Sequence, residues 1–475
     1  MWLLSAAGAA GQEPPAGAQT IGDVAIFGSW RTRVESWDWF GSSPAGEYVY
    51  PAMILRVSAA RSLPTFGWYV EMAVPVVIGL PSDATAPAPQ GALGLGASYF
   101  AANSNRSNAA GLFVKQATAE FKALAGVTGQ SLRIGRMELA DGAEVTPKQP
   151  TLAALKRDRL AQRLIGPFTF AHVGRSFDGV RYVLDTPALN VTAFAARPTR
   201  GVFAVNGWGE LNVNVFYGAV TGHAGRSGEW SAFGLGYQDR RSGVLKTDNR
   251  SVAARSADTS KITIGTFGGH YIDVIDTAAG AIDLLFWGAA QAGSWGALDH
   301  RAGAYAVEAG WQPSALAGVS GWIRGGYDYG SGDGDAGDGR HGTFFQVLPT
   351  PRVYARFPIF NMMNTGDAFG SVQLHPVPRL ALRADLHDVR LASAADLWYQ
   401  GGGAFEAASF GYAGRPSNGR TGLVTLADLS ADLAVNQHLT VSGYFAHASG
   451  RGVTDAIYSG DGSARFSYLE LVVRF

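Results

Sequence analysis

The sequence predicts an all-β chain that closes into a transmembrane, antiparallel, up-and-down β-barrel of about 18 strands. Three observations predict it. Apolar and polar residues alternate with a period of two in one segment after another, short and long connections alternate between those segments, and only 16% of the 475 residues are charged. An average soluble domain carries about 25% charge, so part of this surface is expected to face something other than water. Net charge is zero, with 38 basic against 38 acidic residues, which gives no electrostatic reason to expect a nucleic-acid partner. Without cysteine there is no disulfide scaffold, thiolate metal site or cysteine nucleophile.

The first element is MWLLSAAGAAGQ, a short apolar stretch running into small residues. Its Ala7-Gly8-Ala9 step fits export-signal cleavage, so residues 1–20 are expected to be a signal peptide or disordered N-terminus and 21–475 a single barrel domain. No uninterrupted apolar run reaches the roughly 18 to 20 residues that a helical span needs.

Alternation then places strands near 22–37, 50–60, 66–78, 111–123, 130–138, 174–185, 188–197, 208–219 and 230–239. A second nine fall near 260–269, 281–293, 301–311, 317–329, 367–375, 378–391, 421–436, 438–448 and 464–475. In the clearest of them Leu429, Leu433 and Val435 alternate with Asp428, Ser430 and Asp432, one side suited to lipid and the other to water. The same reading gives Leu211, Val213, Val215 and Tyr217 to lipid and Asn212, Asn214 and Phe216 to the lumen. Trp37, Trp39, Phe40, Tyr48 and Tyr50 cluster at strand ends, where an interfacial aromatic girdle is expected. No repeat of the length used by propellers or solenoids is present.

An even strand count, short turns on one side (Asn436-Gln437, His375-Pro376-Val377) and long connections on the other (79–110, 139–173, 240–259, 330–366, 392–420) describe an outer-membrane porin-type barrel. The last strand alternates to a terminal Phe475, which resembles the signal read by the bacterial barrel assembly machinery. Expected surroundings are therefore the bacterial outer membrane and its lipid, with no cofactor.

Parity puts Arg31, Arg33, Arg56, Arg133, Arg181, Arg324, Arg383 and Arg474 on the inner face together with nine acidic residues, a nearly neutral wall. Selectivity then falls to the constriction. Its best candidate is the loop 139–173, where TLAALKRDRLAQRL at 151–164 has good helix propensity. Lys148, Lys156, Arg157, Arg159 and Arg163 stand there against Asp158, five minus one leaving an excess of four positive charges. Folded inward, that loop would favour an anionic solute; left outside, it is a solvated helix. Arg136 breaks the alternation set by Leu132 and Ile134 and is expected at the rim.

The blocks RIGRMEL (133–139) and GRSFDGVRY (174–182), with GYDYGSGD (326–333), GTFFQVLPT (342–350), Asn364, Arg390 and DLWYQGGG (396–403), resemble the alginate-export family of outer-membrane barrels over roughly 130–475. The resemblance implies an arginine-rich conduit for a polyanionic polysaccharide and no catalysis. It would place Arg133, Arg136, Glu138, Arg175, Asp178 and Arg181 at the constriction, with Arg390 and Asp396 near the lip. Met137 and the neutral wall depart from that pattern.

The expected function is a passive channel for an anionic polysaccharide or small anionic solutes; secretion would also imply periplasmic partner proteins. A general diffusion porin of weak selectivity is the alternative, ahead of an outer-membrane hydrolase or a surface receptor. G-x-S-x-G and H-E-x-x-H are absent, and the nine His are scattered. Gly332, Gly334 and Gly337 match a dinucleotide fingerprint by letters, but Asp333, Asp335 and Asp338 would repel phosphate, and a flexible external loop is expected there.

Overall fold

The computed structural model describes residues 18–41, 44–225, 227–458 and 460–475. The export signal expected over 1–20 lies outside them up to residue 17; Gln19–Ile21 already pairs back onto the start of the first long strand.

Eighteen strands form the wall. The first nine are β1 Val24–Asp38, β2 Glu47–Ser62, β3 Phe66–Val77, β4 Phe113–Lys122, β5 Gln130–Met137, β6 Phe177–Asp185, β7 Leu189–Pro198, β8 Val213–Ala224 and β9 Gly228–Asp239. The others are β10 Ile262–Thr277, β11 Gly280–Trp295, β12 Leu298–Pro313, β13 Trp322–Gly330, β14 Thr365–Val377, β15 Leu380–Leu391, β16 Gly422–Ala434, β17 Leu439–Gly450 and β18 Ser463–Arg474. Each pairs antiparallel with the next, and β18 returns to β1 from Ser29↔Arg474 to Asp38↔Arg465. Closure leaves no long strand with an unpaired edge, which hydrocarbon requires. No helix among the described residues is long and apolar enough to cross a membrane.

Connections sort by rim. One rim carries turns such as 63–65, 186–188, 278–279 and 378–379; the other carries 78–112, 138–176, 199–212, 240–261, 331–364 and 392–421. Several strands run further than alternation indicated. β10 extends to Thr277 and β11 starts at Gly280, so their link is a two-residue turn. The strand expected over 208–219 lies at 213–224 instead, because 199–212 folds as a loop bridged by Thr199↔Glu210.

The outer face presents Trp30, Val34, Ile134, Phe267, Phe286, Leu386, Leu429, Phe445 and Leu469, all exposed, while their neighbours in sequence point inward. Two expectations about faces are corrected. In β8 it is Phe216 that faces out, at 47% exposure, whereas Val213, Val215 and Tyr217 are buried inside. Trp37, Trp39, Phe40 and Tyr50 are likewise buried rather than placed in an outer girdle; Trp37 stacks on Phe466 at 3.9 Å and Trp39 on Phe357 at 5.6 Å. One cause explains both. The lumen near the long-loop rim is filled with protein, so apolar residues find burial on the inner face there.

The filling comes from the long loops. Helix α1 (Leu95–Ala102) delivers Tyr99, packed edge-on to Tyr50 and Phe203. The segment Phe344–Met363, expected in an external loop, is almost entirely buried. A hairpin of Leu397–Gly401 with Tyr412–Pro416 adds Trp398, Tyr399 and Phe410.

Candidate functional site: a loop-packed lumen

The loop 138–176 enters the lumen. Its helix α2 (Pro150–Leu155) starts with Pro150 in the first turn, where a missing N–H costs nothing, and the Gln149 side chain accepts from the Leu152 N–H at 2.7 Å. Sequence propensity predicts helix to residue 164, but the chain makes a single π turn at Lys156–Leu160 and then extends. It extends because the next residues join the other inward loop, with Leu348 N donating to Leu164 O and Thr350 N to Gln162 O.

The basic residues of this loop meet the acidic wall. Lys156 Nζ lies 2.5 Å from Glu229 Oε1, which also takes His270 Nε2 at 3.0 Å. Arg159 pairs with Glu308 at 2.9 Å and Asp328 at 3.2 Å, and Arg163 with the same two at 3.2 and 2.7 Å. Arg324, from β13, joins Asp283 and Glu308. Rings complete the packing: the Arg159 guanidinium lies 4.0 Å from the Phe369 centroid and Arg163 lies 4.5 Å from Tyr354. Arg157 instead pairs with its neighbour Asp158, both partly exposed. The positive excess expected at this loop is therefore mostly neutralised where it lands.

The remaining expected residues divide by face. Arg133 bonds Glu120 at 2.9 Å on the inner wall, directly across the sheet from Arg181. Glu138 faces Arg56 and Lys115, each at 3.4 Å. Arg383 pairs with Asp385 at 2.7 Å on the lumen side of β15. Arg136 and Asp178 are register partners three steps along from Arg133, an odd number, hence on the outer face near the long-loop rim, in a bidentate pair at 2.7 Å capped by the Gly207 carbonyl. Arg390 is also outward, exposed and paired with Asp388 at 2.9 Å. Arg175 is fully buried among the loops, donating to the Gly402 carbonyl rather than facing the lumen space. Asp396 is buried at the mouth, where it accepts from Thr343 Oγ1, Tyr399 OH and the Asp333 amide and so ties two loops together. The 332–338 segment is held by that tie at Asp333, which is 3% exposed.

Opposite the ion-paired wall the loops leave space. A cavity of about 220 Å³ lies between β1, β16, β17 and β18 on one side and residues 169–170 and 350–356 on the other. Four guanidinium groups line it. Arg31 donates to the Thr169 and Ala171 carbonyls, Arg33 to Phe170 O and Glu35, and Arg352 to the carbonyls of Ala355 and Phe360. Arg356 donates to Tyr468 OH at 2.9 Å. Only Asp432 and Glu470 bring negative charge to the lining. Arg352 and Arg356 were not among the sequence candidates; the run FPIFNMM after them, too apolar for an external loop, is the signal that places them inside.

A closed 18-strand barrel, apolar outside and narrowed by inward loops, defines an outer-membrane channel of the porin type. The chain belongs to the alginate export family, whose model matches residues 97–450. Solved structures share the fold at low identity. OccAB1 of Acinetobacter baumannii is 10% identical with a TM-score of 0.56, covering 97% of this chain and 98% of that one. The outer-membrane protein opdK of Pseudomonas aeruginosa is 9% identical, TM-score 0.55, covering 95% and 98%. OccD3 (OpdP) of Pseudomonas aeruginosa is 11% identical, TM-score 0.56, covering 98% and 94%. No curated protein matches the chain in sequence.

Proposed function

We propose that this channel passes anionic solutes, either an acidic polysaccharide or small carboxylate-bearing molecules, through a lumen whose selective element is the arginine-lined cavity. The observation that carries the reading is the charge of that lining. Arg31, Arg33, Arg352 and Arg356 stand against Asp432 and Glu470 in the lining and Glu35 just behind it, four minus three leaving an excess of one positive charge. Arg31 and Arg352 spend donors on neutral backbone carbonyls, which hold the guanidinium without cancelling its charge, whereas Arg33 is paired with Glu35 at 2.7 Å. Fixed charge governs selectivity where the passage is narrow, and inward loops make it narrow here. Family membership supports the polysaccharide; the closely packed loops support the smaller solutes and argue against a wide general-diffusion bore. No catalytic step is part of this reading.

Reversal potentials of the purified channel in a salt gradient test it. The wild type is expected to prefer anions, and Arg31→Gln with Arg356→Gln to lose most of that preference. Cation preference in the wild type would overturn the proposal. Current block by a uronate oligomer, against swelling of channel-bearing liposomes in free uronate, separates the two solute classes.

A further inference from the structure

We infer that Asp385, His387 and Asp428 form a binding site for one divalent transition-metal ion of the zinc class on the lumen wall. Asp385 and His387 are two apart on β15 and so share its inner face, and Asp428 on β16 is the direct register partner of Asp385. One ligand atom from each of the three lies within 4.8 Å of the others.

Two like charges directly opposite each other on neighbouring strands repel, so this pairing is relieved by a bound cation or by a shared proton. Arg383 serves Asp385 alone. Asp428 accepts only from Tyr444 OH, at 3.2 Å, and among the described residues no cation lies within 4 Å of it. With the imidazole neutral, as a metal ligand must be, Asp367, Asp385 and Asp428 stand against Arg383, three minus one leaving two negative charges; a protonated His387 leaves one. The adjoining group has no such deficit: Asp283, Glu308 and Asp328 are matched by Arg159, Arg163 and Arg324. A divalent ion supplies the missing charge.

His387 is the second, independent observation. It is 1% exposed, its Nδ1 sits 2.8 Å from Asp367 Oδ2, and its Nε2 is buried with no hydrogen-bond partner. A carboxylate on one ring nitrogen, fixing the tautomer and leaving the other free, is how metal-bound histidines are held. The Phe369 ring, 5.8 Å away and nearly parallel, fixes the ring plane. One imidazole and two carboxylates suit zinc, cobalt or manganese, whereas calcium takes six to eight oxygens. The geometry makes the metal a charge balancer of an otherwise acidic strip, and it does not depend on which solute passes.

Cobalt(II) titration of the refolded full-length barrel, followed optically and then displaced by zinc, tests the site. One cobalt per chain is expected. Affinity should fall by at least 100-fold in Asp428→Asn and in the volume-conserving His387→Gln, and by about 10- to 100-fold in Asp367→Asn, which removes only the orienting carboxylate. Asp432→Asn, on the same strand, should leave it unchanged. Retained heat-modifiable migration of each variant shows that the barrel has folded. Absence of stoichiometric cobalt binding to the folded wild type, or binding unaffected in the two ligand variants, overturns the inference and leaves the aspartates sharing a proton.

Discussion

The two sides of the lumen use arginine for opposite purposes. Along β9 to β13, Lys156, Arg159, Arg163 and Arg324 are met by Glu229, Asp283, Glu308 and Asp328, and the result is a strut that fixes an inward loop. Beside β1 and β18, Arg352 rests on backbone carbonyls and Arg31 on two carbonyls with Glu470 no nearer than 3.7 Å, and most of their charge stays available to a solute. Charge count along the sequence does not separate the two. What separates them is whether the partner is a carboxylate or a peptide oxygen, because only the former cancels the field.

The largest expected effect comes from breaking the strut. Glu308→Gln together with Asp328→Asn leaves Arg159 and Arg163 buried without counter-charge, and removing one partner of a buried pair costs about 3–5 kcal/mol. The loop should then leave the wall. Denaturant unfolding is expected to show lost stability, and single-channel records a larger, noisier conductance. If stability and conductance both hold at wild-type levels, the network is not what positions the loop. Lys156→Met tests the same side more gently. Glu229 keeps His270 at 3.0 Å, so a loss nearer 1–2 kcal/mol is expected, with conductance little changed. A fall as large as that of the double variant would show that one ion pair, rather than the network, anchors the helix.

Comparison of the two sides also explains what the sequence made legible. The outer apolar rows, Leu429 and Leu433 for example, were readable because lipid accepts almost nothing else. Inner faces were not, since water tolerates polar residues while inserted loops demand apolar ones; Val213, Val215 and Trp37 therefore mimic a lipid-facing pattern. The inward course of 138–176 was visible as basic residues in search of partners, but the partners sit 70 to 170 positions away, as with Lys156 to Glu229 and Arg159 to Asp328. Arg136 and Asp178 are one position from the strand ends, where one register step decides between bore and outer surface. His387 reads in the sequence as a lone histidine, because its meaning lies in Asp367 and Asp428 on neighbouring strands.

The smallest expected effect sharpens the comparison where the inward loop begins. Asp141 is 3% exposed, and burial pushes its carboxyl up to about 7 from the usual 3.8. Its Oδ1 accepts from the amides of Leu164 and Ile165 at 3.0 and 2.7 Å, closing the base of the loop. A carboxyl raised in the folded state binds its proton more tightly there than in the unfolded chain. Its contribution is thus fully present below the ordinary value and is lost as pH rises through about 7. Exchange protection of the Leu164 and Ile165 amides, taken relative to their intrinsic rates, should be greater at mildly acidic than at mildly alkaline pH. Asp141→Asn keeps an oxygen at Oδ1 for both amides and cannot ionise, so its protection should be flat with pH and match the acidic wild type. A pH dependence that survives the substitution would assign the titration to another group and detach the base of the loop from this carboxyl.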